Sequence, residues 1–326
     1  MTTYKAIRGL TIHTVAGDPD PLTTGDIWYS STTRKIRGAK IPTGAWAAAT
    51  NTSRPGTTDP KLSGTQTAGL LAGGYAPSPI LHRALTETYD GTNWTEVADL
   101  ATARYASCMA GTQTATIYAG GISAAGQATE SEEWNGTGWT EGDNLNTGRH
   151  NFGAAGIQTA ALAISGQSPP INTEVEQYDG SSWTEIADVN TGRLAAAGCG
   201  TTTAALFYAG LVLPNTNIVQ AELWNGSSWT EVGDMNTARY AVGGFGTSTE
   251  ALVTAGYAPP GDQAITEEWN GSSWTEIADI NTARYSVAAA GSLTRGLIAG
   301  GNGDSGLSQS AEEWTQAATA VTFTSS

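Results

Sequence analysis

Glutamate and arginine each recur once per repeat along this chain and are its most regular ionisable residues. Each glutamate lies two residues before an aromatic residue: Glu87, Glu132, Glu176, Glu222, Glu267 and Glu312. The arginines recur at intervals of 44 to 50 residues: Arg54, Arg104, Arg149, Arg193, Arg239 and Arg284. Such opposite charges predict a structural ion pair in every repeat, for example between Glu132 and Arg149 or the arginine of an adjacent repeat. A ring of arginines that binds an anion is the functional alternative, but a binding or catalytic centre rarely needs six equal copies.

Other reactive side chains are few and scattered. The three histidines are His13, His82 and His150, and no Cys or carboxylate lies near them at metal-ligand spacing. Cys108 and Cys199 fall in separate small-residue runs, which predicts buried fillers and no disulfide or metal pair. No nucleophile or phosphate-loop motif occurs. We therefore expect no catalytic site, no metal and no cofactor.

The elements that carry these residues repeat with a period in the forties. Five tryptophans stand at steps of 45, 44, 46 and 45 residues, and each precedes its arginine by ten: Trp94, Trp139, Trp183, Trp229 and Trp274. Each repeat contains four short apolar runs without a helical period, and the third and fourth runs flank a turn such as Asn270-Gly271. The first two runs are small residues and the outer two carry aromatic pairs. This pattern predicts four-stranded antiparallel blades around an axis.

The chain resembles the kelch type of β-propeller over residues 42–316. The resemblance rests on the strand-three aromatic, the strand-four Trp, the Arg and the glycine doublets Gly73-Gly74, Gly120-Gly121 and Gly300-Gly301. The repeats at Gly166 and Gly210 depart from it by keeping one glycine, and the interval between the aromatics is shorter than in the usual kelch pattern.

The repeats predict six blades, because six strand-three aromatics occur: Tyr89, Trp134, Tyr178, Trp224, Trp269 and Trp314. Only five strand-four tryptophans follow residue 90, so Trp46 is expected to supply the sixth. The fold expected is thus all-β, a six-bladed propeller over 42–316 that is closed by the strand around Trp46, with residues 317–326 as a C-terminal tail or extra strand. Joining the first and last repeats removes an exposed sheet edge.

Charge is divided unevenly along the chain. Residues 1–40 carry six Lys or Arg and three Asp, whereas residues 41–326 carry nine Lys or Arg and 27 Asp or Glu. An acidic body argues against nucleic acid as a partner, because phosphate binding rests on basic residues. No apolar run approaches the length of a membrane span, and Met1–Arg8 lacks the apolar core of a secretory signal. We expect no membrane insertion and synthesis in the cytoplasm without a signal peptide.

Residues 1–41 form an N-terminal arm whose segment 25–38 alternates in the manner of a β-hairpin. The segment Gly25-Asp26-Ile27-Trp28-Tyr29 followed by Lys35 and Arg37 resembles a hairpin of tail and fibre proteins of tailed bacteriophages, marine ones in particular. That resemblance implies a virion protein whose arm binds other virion proteins. It leaves the oligomeric state open, including a homo-oligomer.

The second-to-third strand loops vary most between the repeats, and loops on a rigid scaffold often carry binding. Apolar and aromatic side chains in these loops are the candidate ligand contacts: Tyr75, Leu81, Leu211, Leu213 and Tyr257. The function expected is non-enzymatic adhesion to a host-surface glycan or protein. A glycan-active enzyme that uses acidic loop residues and an intracellular kelch adaptor are the alternatives. Loops that differ because little constrains them are the simpler explanation of the variation.

Overall fold

The computed structural model describes residues 13–18, 26–40, 44–77, 80–316 and 319–322. These residues form β-strands, turns and irregular segments, with no helix among them. The expected all-β class is therefore confirmed. The chain divides into two compact units, one of residues 1–44 and 316–326 and the other of residues 45–315.

Residues 45–315 contain six four-stranded antiparallel sheets, numbered here 1 to 6 in chain order. Their first to fourth strands are Lys61–Thr65, Ala68–Ala72, Thr86–Tyr89 and Trp94–Glu96 in sheet 1; Cys108–Gly111, Thr116–Ala119, Ser131–Trp134 and Trp139–Glu141 in sheet 2; Gly153–Ile157, Ala160–Ile164, Val175–Tyr178 and Trp183–Ile186 in sheet 3; Ala197–Gly200, Ala205–Tyr208, Ala221–Trp224 and Trp229–Val232 in sheet 4; Gly243–Gly246, Ala251–Thr254, Thr266–Trp269 and Trp274–Glu276 in sheet 5; Ala288–Ser292, Arg295–Ala299, Ala311–Thr315 and Ala45–Ala49 in sheet 6. Repetition of one antiparallel sheet makes the architecture propeller-like.

Small hairpins occupy five of the six second-to-third strand loops. They pair Tyr75–Pro77 with Ile80–His82, Ile122–Ser123 with Gly126–Gln127, Leu211–Val212 with Thr216–Asn217, Tyr257–Ala258 with Gly261–Asp262, and Asn302–Gly303 with Gly306–Leu307. In sheet 3 the loop instead makes single bridges from Gln167 to His150 and to Ile171. The variable loops are thus ordered extensions at one end of each sheet.

The turn between the third and fourth strands shows how sequence sets the strand register. In sheet 5 the Asn270 Oδ1 atom accepts hydrogen bonds from the backbone N–H groups of Ser272 and Ser273, both at 3.0 Å. Gly271 has a φ of +91°, which a side chain would strain. This Asx turn places Trp269 directly opposite Trp274.

Aromatic pairs fill the outer part of every sheet. The strand-three ring lies 4.8 to 5.5 Å from the strand-four Trp ring, measured between centroids, and each strand-three ring is at most 3% exposed. Sheet 6 has the same aromatic pair, because Trp46 lies opposite Trp314 in the register in which Trp274 lies opposite Trp269. The expected pairing of these two distant residues is confirmed.

Each first strand contacts the first strand of the next sheet, and that of sheet 6 contacts that of sheet 1. At the junction of sheets 6 and 1, a glutamine side chain donates to a backbone carbonyl of the neighbouring sheet, as it also does between sheets 1 and 2. Gln66 donates its Nε2–H to the Trp314 carbonyl at 2.8 Å, as Gln113 does to the Tyr89 carbonyl at 2.7 Å. Tyr89 also donates its hydroxyl to the Glu313 Oε1 atom at 2.8 Å. The junction between sheets 6 and 1 is therefore hydrogen-bonded like the junction between sheets 1 and 2.

The end of the second strand explains the departures from the glycine doublet. The second position of the doublet has φ between +97° and +113° in all six sheets and is always glycine. The first position has φ near +60°, within the left-handed region, and there Ser165, Ala209 and also Ala255 replace glycine. Only the second glycine is required by backbone conformation.

The other unit contains the hairpin that the sequence predicts. Ile27–Ser30 pairs antiparallel with Lys35–Lys40, and the latter pairs antiparallel with Thr319–Thr322. His13–Val15 adds a parallel strand on the other side of Ile27–Ser30. The Trp28 ring is 2% exposed, so it provides this small sheet with a buried aromatic residue.

Candidate functional site

The six repeat glutamates and six repeat arginines meet in pairs within the described residues. In four pairs the shortest nitrogen-to-oxygen distance is 3.6 Å for Arg54–Glu87, 2.8 Å for Arg104–Glu132, 2.5 Å for Arg149–Glu176 and 2.9 Å for Arg284–Glu312. The other two pairs, Arg193–Glu222 and Arg239–Glu267, are also in direct contact. Glu132 therefore meets Arg104, and the expectation of Arg149 or an adjacent blade was wrong. The arginine that opens a repeat folds onto the third strand of its own sheet.

Each glutamate also fixes the connection that leads into its sheet. In sheet 5 the Glu267 Oε2 atom accepts hydrogen bonds from the Asn236 backbone N–H at 2.7 Å and from its Nδ2–H at 2.9 Å. The Glu267 Oε1 atom accepts from the Thr237 N–H at 3.3 Å and from Arg239. This carboxylate thus ties the fourth-to-first connection to the third strand, and its hydrogen-bonding capacity is used by the protein.

The paired arginines are buried, with exposures from 0% to 4%. Burial lowers the pKa of Arg54 to about 10, although Glu87 acts in the opposite direction. Burial likewise lowers the pKa of Arg193 and Arg284, against the influence of Glu222 and Glu312. Buried guanidinium groups beside a carboxylate are poorly placed to bind a ligand from solvent, which favours a structural role for the twelve residues.

A second repeated feature is a set of six residues with left-handed backbone conformation, five of which stand two residues after a repeat arginine. Their φ angles are 51° to 54°: Asp59, Ala106, Asn151, Ala195, Ala241 and Ser286. In five neighbouring pairs of these residues, a backbone N–H donates to the backbone carbonyl of the other residue. The bonds are Asn151 to Ala106, Ala195 to Asn151, Ala241 to Ala195 and Ser286 to Ala241, each at 2.7 Å, and Asp59 to Ser286 at 3.1 Å. We call these six residues the inner ring. The five bonds link successive sheets, including sheet 1 to sheet 6 through Asp59, and no such bond joins Ala106 to Asp59 among the described residues.

Tyr75, one of the predicted ligand contacts, lies in a group of three rings. Its ring stacks on that of Tyr105 with centroids 4.7 Å apart and an interplanar angle of 29°. The His82 ring lies 6.0 Å from Tyr75 and 5.5 Å from Tyr105. All three side chains are partly exposed. We call these residues the Tyr75 cluster.

Tyr257, the other predicted aromatic contact, lies in a second group. Its ring is 5.7 Å from both Tyr240 and Tyr285, in edge-to-face arrangements. The Tyr285 hydroxyl accepts a hydrogen bond from the Asn302 Nδ2–H at 2.6 Å. We call the three tyrosines the Tyr257 cluster. The two clusters occupy the same end of their sheets, because in each a residue at the start of a repeat bridges the first residue of a loop hairpin.

The three predicted leucines differ in their accessibility. Leu213 is 59% exposed and Leu81 is 39% exposed, so both present apolar surface. Leu211 is only 8% exposed, and its backbone bridges that of Leu194. The expectation of an accessible Leu211 side chain was wrong, because the first residue of its loop hairpin is packed against the neighbouring segment.

Three aromatic residues of the clusters were missed in the sequence, namely Tyr105, Tyr240 and Tyr285. A signal was present, since each directly follows a repeat arginine, where His150 and Leu194 stand in two other repeats. These residues bridge the first residues of the loop hairpins, at Ile122, Tyr257 and Asn302. Periodicity could have placed them beside the loops that contain Tyr75 and Tyr257.

The described part of the chain contains neither a cluster of metal ligands nor a membrane-spanning helix. No group of three or more His, Cys, Asp or Glu residues there could hold a metal ion. No described segment is a helix long and apolar enough to cross a membrane. Comparison of the sequence with protein-family models and with curated proteins finds no match. The geometry of the aromatic clusters thus carries the functional argument.

Proposed function

We propose that residues 45–315 form a six-bladed β-propeller closed into a ring by the strand Ala45–Ala49. Two observations support closure: the register of Trp46 with Trp314, and the hydrogen bond from the Asp59 N–H to the Ser286 carbonyl at 3.1 Å. Both join the start of the propeller sequence to its end. A closed ring leaves no outer sheet edge between the first and last repeats.

We propose further that this propeller is a non-enzymatic binding protein whose loop face attaches to a host-surface glycan or protein. The observation that carries this proposal is the placement of the Tyr75 and Tyr257 clusters at one end of the sheets. Partly exposed tyrosines offer flat apolar faces and hydroxyl groups, which suit contact with a sugar ring or a protein side chain. Leu81 and Leu213 add exposed apolar surface to the same loops.

The setting that we propose is the virion of a tailed bacteriophage. The hairpin of Ile27–Ser30 and Lys35–Lys40 carries the resemblance to tail and fibre proteins. In this proposal residues 1–41 anchor the protein to other virion proteins, and nucleic acid and membrane are not partners. Mass spectrometry of purified virions from an infected culture tests the setting. The peptides of this chain should co-purify with the particles through a density gradient, and their absence would exclude it.

A glycan array tests binding itself. We expect the folded protein to retain specific glycans or host-surface proteins and to release them chemically unchanged. One observation favours the enzymatic alternative, since partial burial and the neighbouring Asp304 raise the pKa of the Asp262 carboxyl in the loops. Product analysis of bound glycans separates the two functions. Cleavage that disappears in Asp262→Asn would establish the enzyme and overturn the proposal of binding alone.

A further inference from the structure

A cavity of about 120 Å³ lies where the first strands of all six sheets converge. Its walls are mostly alanine, glycine, valine and serine, with the Cys108 and Met109 side chains. A smaller cavity beside it is lined by the inner ring, including Asp59 and Ser286. Lys61 lines both cavities. This central space therefore contains a cation among small and apolar neighbours.

Lys61 departs from the repeat at a position that otherwise holds small residues. It opens the first strand of sheet 1, where the other five sheets have Cys108, Gly153, Ala197, Gly243 and Ala288. It is also the only lysine between residues 41 and 326. Six of the nine basic residues in that region are the paired arginines, so few others remain to bind a ligand.

The charge of Lys61 has no close partner among the described residues. No carboxylate oxygen of a described residue is within ion-pair distance of its Nζ atom. Asp59 is the acidic residue that shares a cavity with it, and burial raises the pKa of that carboxyl despite Lys61 and a hydrogen bond from Ser286. The Lys61 ammonium group is therefore available to a small anion that supplies a counter-charge.

We propose that the central cavity binds a small oxyanion, a phosphate or a carboxylate, through the Lys61 ammonium group. A single water molecule needs about 10–15 Å³ of such space, so about 120 Å³ leaves room for an anion of this size. The first strand is the edge of each sheet, so some of its N–H groups have no ladder partner and supply further donors beside the cavity. The bound anion joins the inner strands and stabilises their convergence.

Thermal unfolding with added anion tests this site without reference to the loop face. Inorganic phosphate and acetate are titrated separately against sodium chloride of equal ionic strength. At about 100 times its dissociation constant the bound anion should raise the melting temperature of the wild type by about 5 °C. Lys61→Gln should abolish the increase, whereas Lys61→Arg should retain it. Arg295→Gln removes a basic residue that lines neither cavity and should leave the increase intact.

A measurement on the wild-type chain covers the case in which Lys61→Gln does not fold. Acetylation of the native protein with acetic anhydride is followed by peptide mass spectrometry, with exposed Lys35 as the internal reference. Phosphate or acetate should slow modification of Lys61 several-fold and leave that of Lys35 unchanged. Equal protection by chloride, equal effects on both lysines, or the same melting shift in Lys61→Gln would overturn the proposal.

Discussion

Trp46 packs against Trp314 with ring centroids 5.5 Å apart, although 268 residues separate them in the chain. Trp46 also donates its indole N–H to the Thr266 Oγ1 atom of sheet 5 at 3.2 Å. A single strand near the start of the chain thus completes sheet 6 and contacts its neighbour. The proposed ring depends on this strand more than on any strand within a continuous repeat.

Trp46→Ala is therefore expected to destabilise the propeller and to expose the seam, by which we mean the contact of the strand Ala45–Ala49 with the rest of sheet 6. Loss of a buried tryptophan costs about 3–5 kcal/mol of unfolding free energy, measured by urea denaturation. Trp94→Ala is the matched control, since Trp94 occupies the same strand position in sheet 1. Both variants should lose similar stability, but only Trp46→Ala should become rapidly cleaved by protease near residues 45–60. Equal cleavage in the two variants would argue against a special role of the seam strand.

The pair of Arg239 and Glu267 should behave as one energetic unit, since both side chains are fully buried. Arg239→Met or Glu267→Gln alone leaves a buried polar group without its partner and should cost about 3–5 kcal/mol. The double variant should lose clearly less than the sum of the two single losses, because no unpaired charge remains. A double-mutant cycle by chemical denaturation measures this coupling, and strictly additive losses would refute the structural role.

Asp59 gives stability a defined pH dependence. Burial raises its folded pKa above the unfolded value of about 3.9. The protonated form is thus favoured by folding, and its contribution is present below about pH 4 and is lost as the pH rises through the folded pKa. Asp59→Asn cannot ionise, so its melting temperature minus that of the wild type should increase between about pH 3 and about pH 7.

Asp179→Asn serves as the control for that pH dependence. Hydrogen bonds from Ser181 and Ser182 lower the pKa of Asp179, so its contribution to stability has the opposite sign. The melting difference for this variant should not increase over the same range. Parallel trends in the two variants would show that the central carboxyl is not specially destabilised by ionisation.

Both cysteines should resist thiol reagents while the protein is folded. Burial raises the pKa of Cys108 and Cys199 to about 12, so little thiolate forms at about pH 8. Iodoacetamide should therefore label neither residue in the native state and both in denaturant, as counted by intact mass. Rapid labelling of the native protein would mean that the inner strands open readily.

The sequence predicts the repeated elements well because aromatic spacing and turn residues act locally. The opposition of Trp269 and Trp274 follows from one Asn-Gly turn. The partner of Glu132 could not be predicted in this way, because it depends on how the repeat arginine folds back across its own sheet. The accessibility of Leu211 and the inner ring at Asp59 likewise depend on contacts between segments that periodicity does not describe.

Attachment of a double variant to host cells tests the proposed binding face most directly. Tyr75→Ala combined with Tyr257→Ala removes one ring from each cluster, whereas Ile157→Ala alters a 54% exposed apolar residue in the first-to-second strand hairpin, at the other end of the sheets. The double variant should lose attachment, with a melting temperature close to that of the wild type, and Ile157→Ala should attach normally. Undiminished attachment by the folded double variant would contradict the account and place recognition on the N-terminal arm or the opposite face.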